Sequence, residues 1–257
     1  MKTISYLFAL IVLISACSQG EKQTTEVETK AAEPTSYNHL ALGTLDTEGM
    51  AKWYERVLGA RIVQQFGSGQ RQISVDGKYW QLMPIDSAQI GAENTGGLFK
   101  IGFRTQGLES LRDSLLEMGV SVHGDLMYDE NLDEHTFIIL DPDGNRLQFF
   151  GTKEGQPANL EWMFAAMRIP KLESQYGFIT ETLGFSEIYS HDQDDPRLKI
   201  RLVQRDDMLL EIIEDQTVSA PGSSAKGFWG FTVNNIAGST AEGPMSESIS
   251  FFHQDSE

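Results

Sequence analysis

Asp141-Pro142-Asp143-Gly144-Asn145-Arg146-Leu147-Gln148-Phe149-Phe150 joins a turn to an alternating run. Proline fixes φ at the second position, and Gly and Asn tolerate the left-handed region that a tight reversal needs. An apolar run, Phe137 to Leu140, enters this turn, and Arg146 to Phe150 leaves it with apolar and polar residues interleaved. Two such runs around a turn predict a β-hairpin.

Working outward, the same local order recurs along the chain. A strand at Tyr37–Thr44 leads to a helix near Thr47–Leu58, with Trp53, Val57 and Leu58 at helical spacing and Gly59 as its stop. A strand at Leu98–Thr105 leads to a helix at Leu108–Met118 and then Gly119. A third strand, Glu161–Ile169, leads to a helix around Leu172–Leu183 and then Gly184. The three glycines lie 60 and 65 residues apart, which marks a duplicated unit. Each helix is followed by three strand-like runs: Arg61–Phe66, Arg71–Val75 and Tyr79–Pro84; Ser121–Tyr128, Thr136–Leu140 and Arg146–Phe150; Glu187–Ser190, Leu198–Gln204 and Met208–Ile213. A fourth unit opens at Gly227–Val233, similar to Leu98–Thr105, but Asn234–Glu257 holds no amphipathic helix and too few residues for three strands. The link Lys153–Asn159 carries Gly and Pro and reads as a boundary.

The hairpin resembles that of the vicinal oxygen chelate superfamily, the glyoxalase, bleomycin-resistance and extradiol dioxygenase group. There the motif runs Asp-Pro-Asp-Gly-Asn-x-x-Glu and its Glu ligates a metal; here that place holds Gln148. The order strand, helix, three strands is similar to the βαβββ module of the same group. The resemblance implies an α+β fold in which two modules pair into one cupped mixed sheet around a cavity. It implies one complete domain over residues 36–152 and a partial second one over 159–257. Three readings of the incomplete part stay open: completion by a partner subunit in a homodimer, a disordered tail, or truncation.

In that group the metal ligands sit on the first and last strand of each module. Carried onto this sequence, those places are His39, Gln81, Lys100 and Gln148. A divalent ion wants His nitrogen or carboxylate oxygen. An ammonium has no lone pair to donate, so Lys100 argues against a metal. Two readings stay open: no cofactor, or a divalent metal held by His39, Gln81 and Gln148 in a lyase or dioxygenase.

Alternation places Arg104 on the side of Lys100, and Arg146 and Phe150 on the side of Gln148. If these strands line one cavity, it holds up to three cations, two amides and His39, with Tyr79 and Phe150 as walls. Such a pocket suits an anionic or aromatic small molecule. The alternative for Arg104 and Arg146 is that they extend to solvent from strand ends. In the third unit Phe164 stands at the His39 place and Glu211 at the carboxylate place; Phe228 takes the Lys100 place in the fourth. Glu211 is expected to be exposed at a strand edge. His123 and His135 are placed near the cavity mouth, His191 and His253 at the surface.

The N-terminus reads separately. Lys2 precedes an apolar run, Ile4 to Ala16, shorter than the roughly 20 residues that span a bilayer. It ends Ile14-Ser15-Ala16-Cys17, which resembles a bacterial lipobox, so residues 1–17 are expected to be a lipoprotein signal with Cys17 lipidated. Ser18 after the Cys implies the outer membrane, facing the periplasm, with membrane contact through the lipid alone. Cys17 is the one cysteine in the chain, which excludes an intrachain disulfide. Residues 18–35 have the composition of a flexible tether. A net charge of −17 argues against nucleic acid as a partner.

Overall fold

The computed structural model describes residues 39–85, 97–130, 132–192, 198–205, 208–218 and 227–232. The signal segment with Cys17, the tether and the tail that includes His253 lie outside the described residues.

The first module runs β1 (His39–Thr44), α1 (Thr47–Leu58), β2 (Arg61–Gln65), β3 (Arg71–Val75) and β4 (Lys78–Pro84). The second runs β5 (Gly97–Thr105), α2 (Leu108–Glu117), β6 (Ser121–Asp129), β7 (Glu134–Leu140) and β8 (Arg146–Gly151). The third runs β9 (Glu161–Ile169), α3 (Glu173–Gly177), β10 (Ser186–Asp192), β11 (Leu198–Arg205) and β12 (Met208–Asp215). A single strand, β13 (Gly227–Thr232), opens the fourth. The repeat is therefore real, and the fold is α+β with paired βαβββ modules.

Local chemistry accounts for the helix ends. Asp46 accepts from the backbone N–H groups of Glu48 and Gly49 at 3.1 and 2.9 Å, capping α1. Gly59, Gly119 and Gly184 all have positive φ, at 66°, 75° and 71°, so each module uses the same left-handed stop. The third helix departs from expectation. It is α-helical for five residues and then a π-helix over Phe178–Thr182, still burying Ile179 and Leu183.

Strand pairing differs from the expected scheme. Modules one and two do not share a sheet. β13 pairs antiparallel with β1, giving the order β13-β1-β4-β3-β2, while β5 pairs antiparallel with β9, giving β10-β11-β12-β9-β5-β8-β7-β6. The first module thus joins the fourth and the second joins the third. The repeat shows three modules and the opening strand of a fourth; backbone hydrogen bonds, which carry no residue signature, choose the pairs.

The helix-bearing faces of both sheets meet in one core. Trp80 of the five-stranded sheet lies 6.0 Å from Phe103 of the eight-stranded one, ring to ring, and Tyr54 of α1 packs at 5.2 Å against Trp80. Ile73, Leu82, Ile101, Phe137, Phe149 and Ile212 belong to the same cluster. The hallmark turn anchors here. Asp141 is buried, and its carboxylate accepts from Tyr54 Oη and Asn145 Nδ2 at 2.7 Å each, and from the backbone N–H groups of Asp143 and Asn145 at 3.0 and 2.8 Å. Gly144 sits at φ 86°, as the turn requires.

Candidate functional site

The opposite, helix-free face of the eight-stranded sheet carries a separate apolar cluster: Phe150, Phe164, Ala166 and Ile213, with Phe99, Met163, Ile200 and Leu209 packed against it. Register sets its polar content. Arg146, Lys100, Ala166 and Glu211 form one row across β8, β5, β9 and β12. Gln148, Gly102 and Phe164 form the next.

Two irregularities alter what alternation predicts. A register shift between Leu98 and Lys100 makes Phe99 an extra residue, and one opposite Gly102/Phe103 does the same for Met163. A bulge turns two successive side chains to one side. Phe99 accordingly joins Lys100 on the helix-free face, and Met163 joins Phe164. Nothing in a period-two reading reveals either.

In the first row, Lys100 Nζ lies 3.1 Å from Glu211 Oε2, with the side chains 14% and 13% exposed. The two strands flank β9, so the lysine reaches across Ala166, whose methyl leaves the path open. The expectation of an edge-exposed Glu211 is corrected. β12 is interior to the sheet, and its Glu faces a cation supplied by another module. Glu211 Oε2 makes no aligned hydrogen bond, so the contact is chiefly coulombic. The ammonium also lies 5.4 Å from the Phe164 ring centroid, within cation–π range.

In the second row Gln148 is 8% exposed; its Nε2 donates to Thr136 Oγ1 at 2.9 Å and its Oε1 is buried without a partner. Phe164 covers Gly102 so closely that a Cβ there would fall 2.4–2.7 Å from the ring. Glycine is what lets this aromatic form the floor.

At the upper end Arg146 and Arg168 both stack on Phe99, their guanidinium carbons 4.8 and 4.9 Å from its centroid. Arg168 pairs with Asp215 at 3.3 Å. Burial, and then repulsion from Arg168, lower the pKa of Arg146. At the other end Arg104 pairs with Glu134 at 3.0 Å and is 44% exposed, the solvent-directed outcome for that residue.

His39 and Gln81 are elsewhere. They lie on β1 and β4 of the five-stranded sheet, where register pairs His39 with Tyr79, and Ala41 with Gln81, on one face. The six candidate residues are thus divided, four on the eight-stranded sheet and two on the five-stranded one. The set His39, Gln81 and Gln148 is not brought together on one sheet. His123 sits opposite Ile138 at the outer strand and is exposed. His135 packs its ring on Tyr128, on the side of the sheet away from Gln148. His191 stacks on Tyr189. A groove of about 360 Å³ lies at the N-terminal end of α1, lined by Asp46, Trp53, Arg56 and Asp143 among others, and holds none of the candidates.

Among the described residues, no three His, Cys, Asp or Glu side chains are grouped so as to hold a metal ion. The donor chemistry at the two first-strand and two last-strand places of the eight-stranded sheet points the same way. They hold Lys100, Phe164, Gln148 and Glu211, one carboxylate already neutralised by an ammonium. This set does not fit a divalent ion.

The matching family model is the Glyoxalase/Bleomycin resistance protein/Dioxygenase superfamily, over residues 36–149. No curated protein sequence matches. Among solved structures, glyoxalase I from Zea mays is similar at 14% identity and TM-score 0.62, over 77% of this chain and 73% of that one. A putative dioxygenase from Bacillus subtilis is similar at 13% identity and TM-score 0.56, over 78% and 70%. At such identities the likeness concerns the fold. Over residues 36–149 the chain is similar to the glyoxalase/bleomycin resistance/dioxygenase superfamily, and hairpin, repeat and fold agree with that similarity.

Proposed function

We propose that this protein binds a small molecule, without a metal, on the helix-free face of the eight-stranded sheet. The Lys100–Glu211 ion pair carries the reading. It holds an ammonium in place where the family resemblance implies a metal ligand, and a lysine offers three N–H donors, with Glu211 facing one side. Phe150 and Phe164 supply an apolar floor, and the unpartnered Oε1 of Gln148 supplies an acceptor. Cys17, as a lipidated residue, would hold the protein at the outer membrane facing the periplasm.

The test is elemental analysis of the purified protein together with a binding screen on the parent and on Lys100→Ala. The expected result is no stoichiometric metal and loss of the screened ligand in the variant. Stoichiometric metal, or unchanged binding by Lys100→Ala, overturns the proposal. Labelled fatty-acid incorporation that persists in Cys17→Ala would remove the anchor.

A second reading rests on register. His39 and Gln81 occupy positions on one face of the five-stranded sheet, so a divalent-metal lyase or dioxygenase site would be built there, without Gln148. A melting temperature raised by added divalent ion in the parent but not in His39→Ala would favour it.

A further inference from the structure

We infer that the ligand carries an oxyanion, a carboxylate or phosphate, which docks against Arg146, beside Arg168, at the Phe99 end of the helix-free face; this rests on the binding function proposed for that face. The bulge at Phe99 creates the subsite. It turns the ring onto the helix-free face, where guanidinium groups from the two strands flanking β5 stack on it at 4.8 and 4.9 Å. A guanidinium lying over a ring still carries N–H donors at its edges.

Among the described residues, charge at this end is unbalanced. Lys100, Arg146 and Arg168 face two carboxylates, Glu211 and Asp215, and each carboxylate is already paired, with Lys100 and Arg168 respectively. Among the described residues Arg146 has no acidic partner and makes no hydrogen bond. Arg168 Nε is buried without an acceptor although its Nη1 reaches Asp215. Two half-buried guanidiniums held side by side repel each other, and a bound anion offsets that repulsion. The burial and mutual repulsion that lower the Arg146 pKa describe the same imbalance. In a chain of net charge −17, a patch of this sign is not a general surface property.

The experiment is ¹⁹F NMR titration of the whole protein with 4-fluorobenzoate, 4-fluorophenyl phosphate and the neutral isostere 4-fluorobenzamide. At least one anion is expected to bind, the amide not, and the stronger anion names the oxyanion class. Arg146→Gln should weaken the anion at least tenfold, and Arg146→Lys, which keeps the charge but not the fork, should fall between. The melting temperature of Arg146→Gln should stay within about 3 °C of the parent. Equal binding of acid and amide, no binding of either anion, or a larger melting loss in Arg146→Gln overturns the inference. Anion binding that survives Arg146→Gln but is lost in Lys100→Ala also overturns it, while leaving the helix-free face as the binding face.

Discussion

Lys100 Nζ and Glu211 Oε2 stand 3.1 Å apart although β9 lies between their strands. Neighbouring strands are about 4.8 Å apart, so the side chains bridge roughly 10 Å of sheet over Ala166. The second and third modules are tied by this contact as well as by the β5–β9 ladder. Removing one partner leaves a mostly buried charge alone. Lys100→Met or Glu211→Leu is therefore expected to cost about 2–3 kcal/mol, and the double variant distinctly less than their sum. Urea denaturation of the four proteins measures it; strictly additive losses would show that the pair is not coupled.

Gly102→Ala should destabilise by about 1–3 kcal/mol, because the new methyl meets the Phe164 ring at 2.4–2.7 Å. Phe164→Leu in the same chain should recover part of the loss. A Gly102→Ala protein as stable as the parent would mean that the ring does not lie on this glycine.

Tyr54→Phe removes the hydroxyl that donates to buried Asp141 across 87 residues of sequence. The expected cost is about 1–3 kcal/mol, with the hairpin turn loosened. Hydrogen exchange at the Asn145 amide, which also donates to Asp141, reads the turn directly. Unchanged protection there would separate the turn from α1.

Burial raises the pKa of Asp141 despite hydrogen bonds from Tyr54 and Asn145 that favour the carboxylate. The folded state therefore holds this proton more tightly than the unfolded one. Its contribution to stability is full below the ordinary carboxyl pKa and fades as pH rises through the folded value. A ¹³C titration of the Asp141 carboxyl should show a midpoint above that of exposed aspartates; a midpoint at or below theirs contradicts the buried placement.

Tyr176 is pushed up to about 12, first by burial and then by donating to Glu187. The sign is the same: its stabilising effect is intact below the ordinary phenol pKa and lost as pH climbs through the folded value. Ultraviolet titration should reveal late phenols, with Tyr54 and Tyr128 also raised, and one of them should disappear in Tyr176→Phe and move earlier in Glu187→Gln.

Much of this molecule was legible in the residues. The turn chemistry at Asp141–Asn145, helical spacing in Thr47–Leu58 and the three spaced glycines are local properties, and local rules of backbone and side chain translate them into strands, helices and stops. The same residues carried the resemblance to the superfamily and the Gln148 that stands at the place of its carboxylate. What they did not contain was adjacency. Alternation assigns Lys100 and Glu211 to faces, but not to the same sheet, and it passes over the bulge that brings Phe99 round beside Lys100. It also left Arg104 and Arg146 equivalent, whereas only Arg146 stacks on that ring. Periodicity comes from the chain's own covalent geometry, and so one chain segment reveals it. Which modules pair, where a ladder slips and which charge finds which are set by hydrogen bonds and packing between distant segments, and the tertiary structure alone decided them.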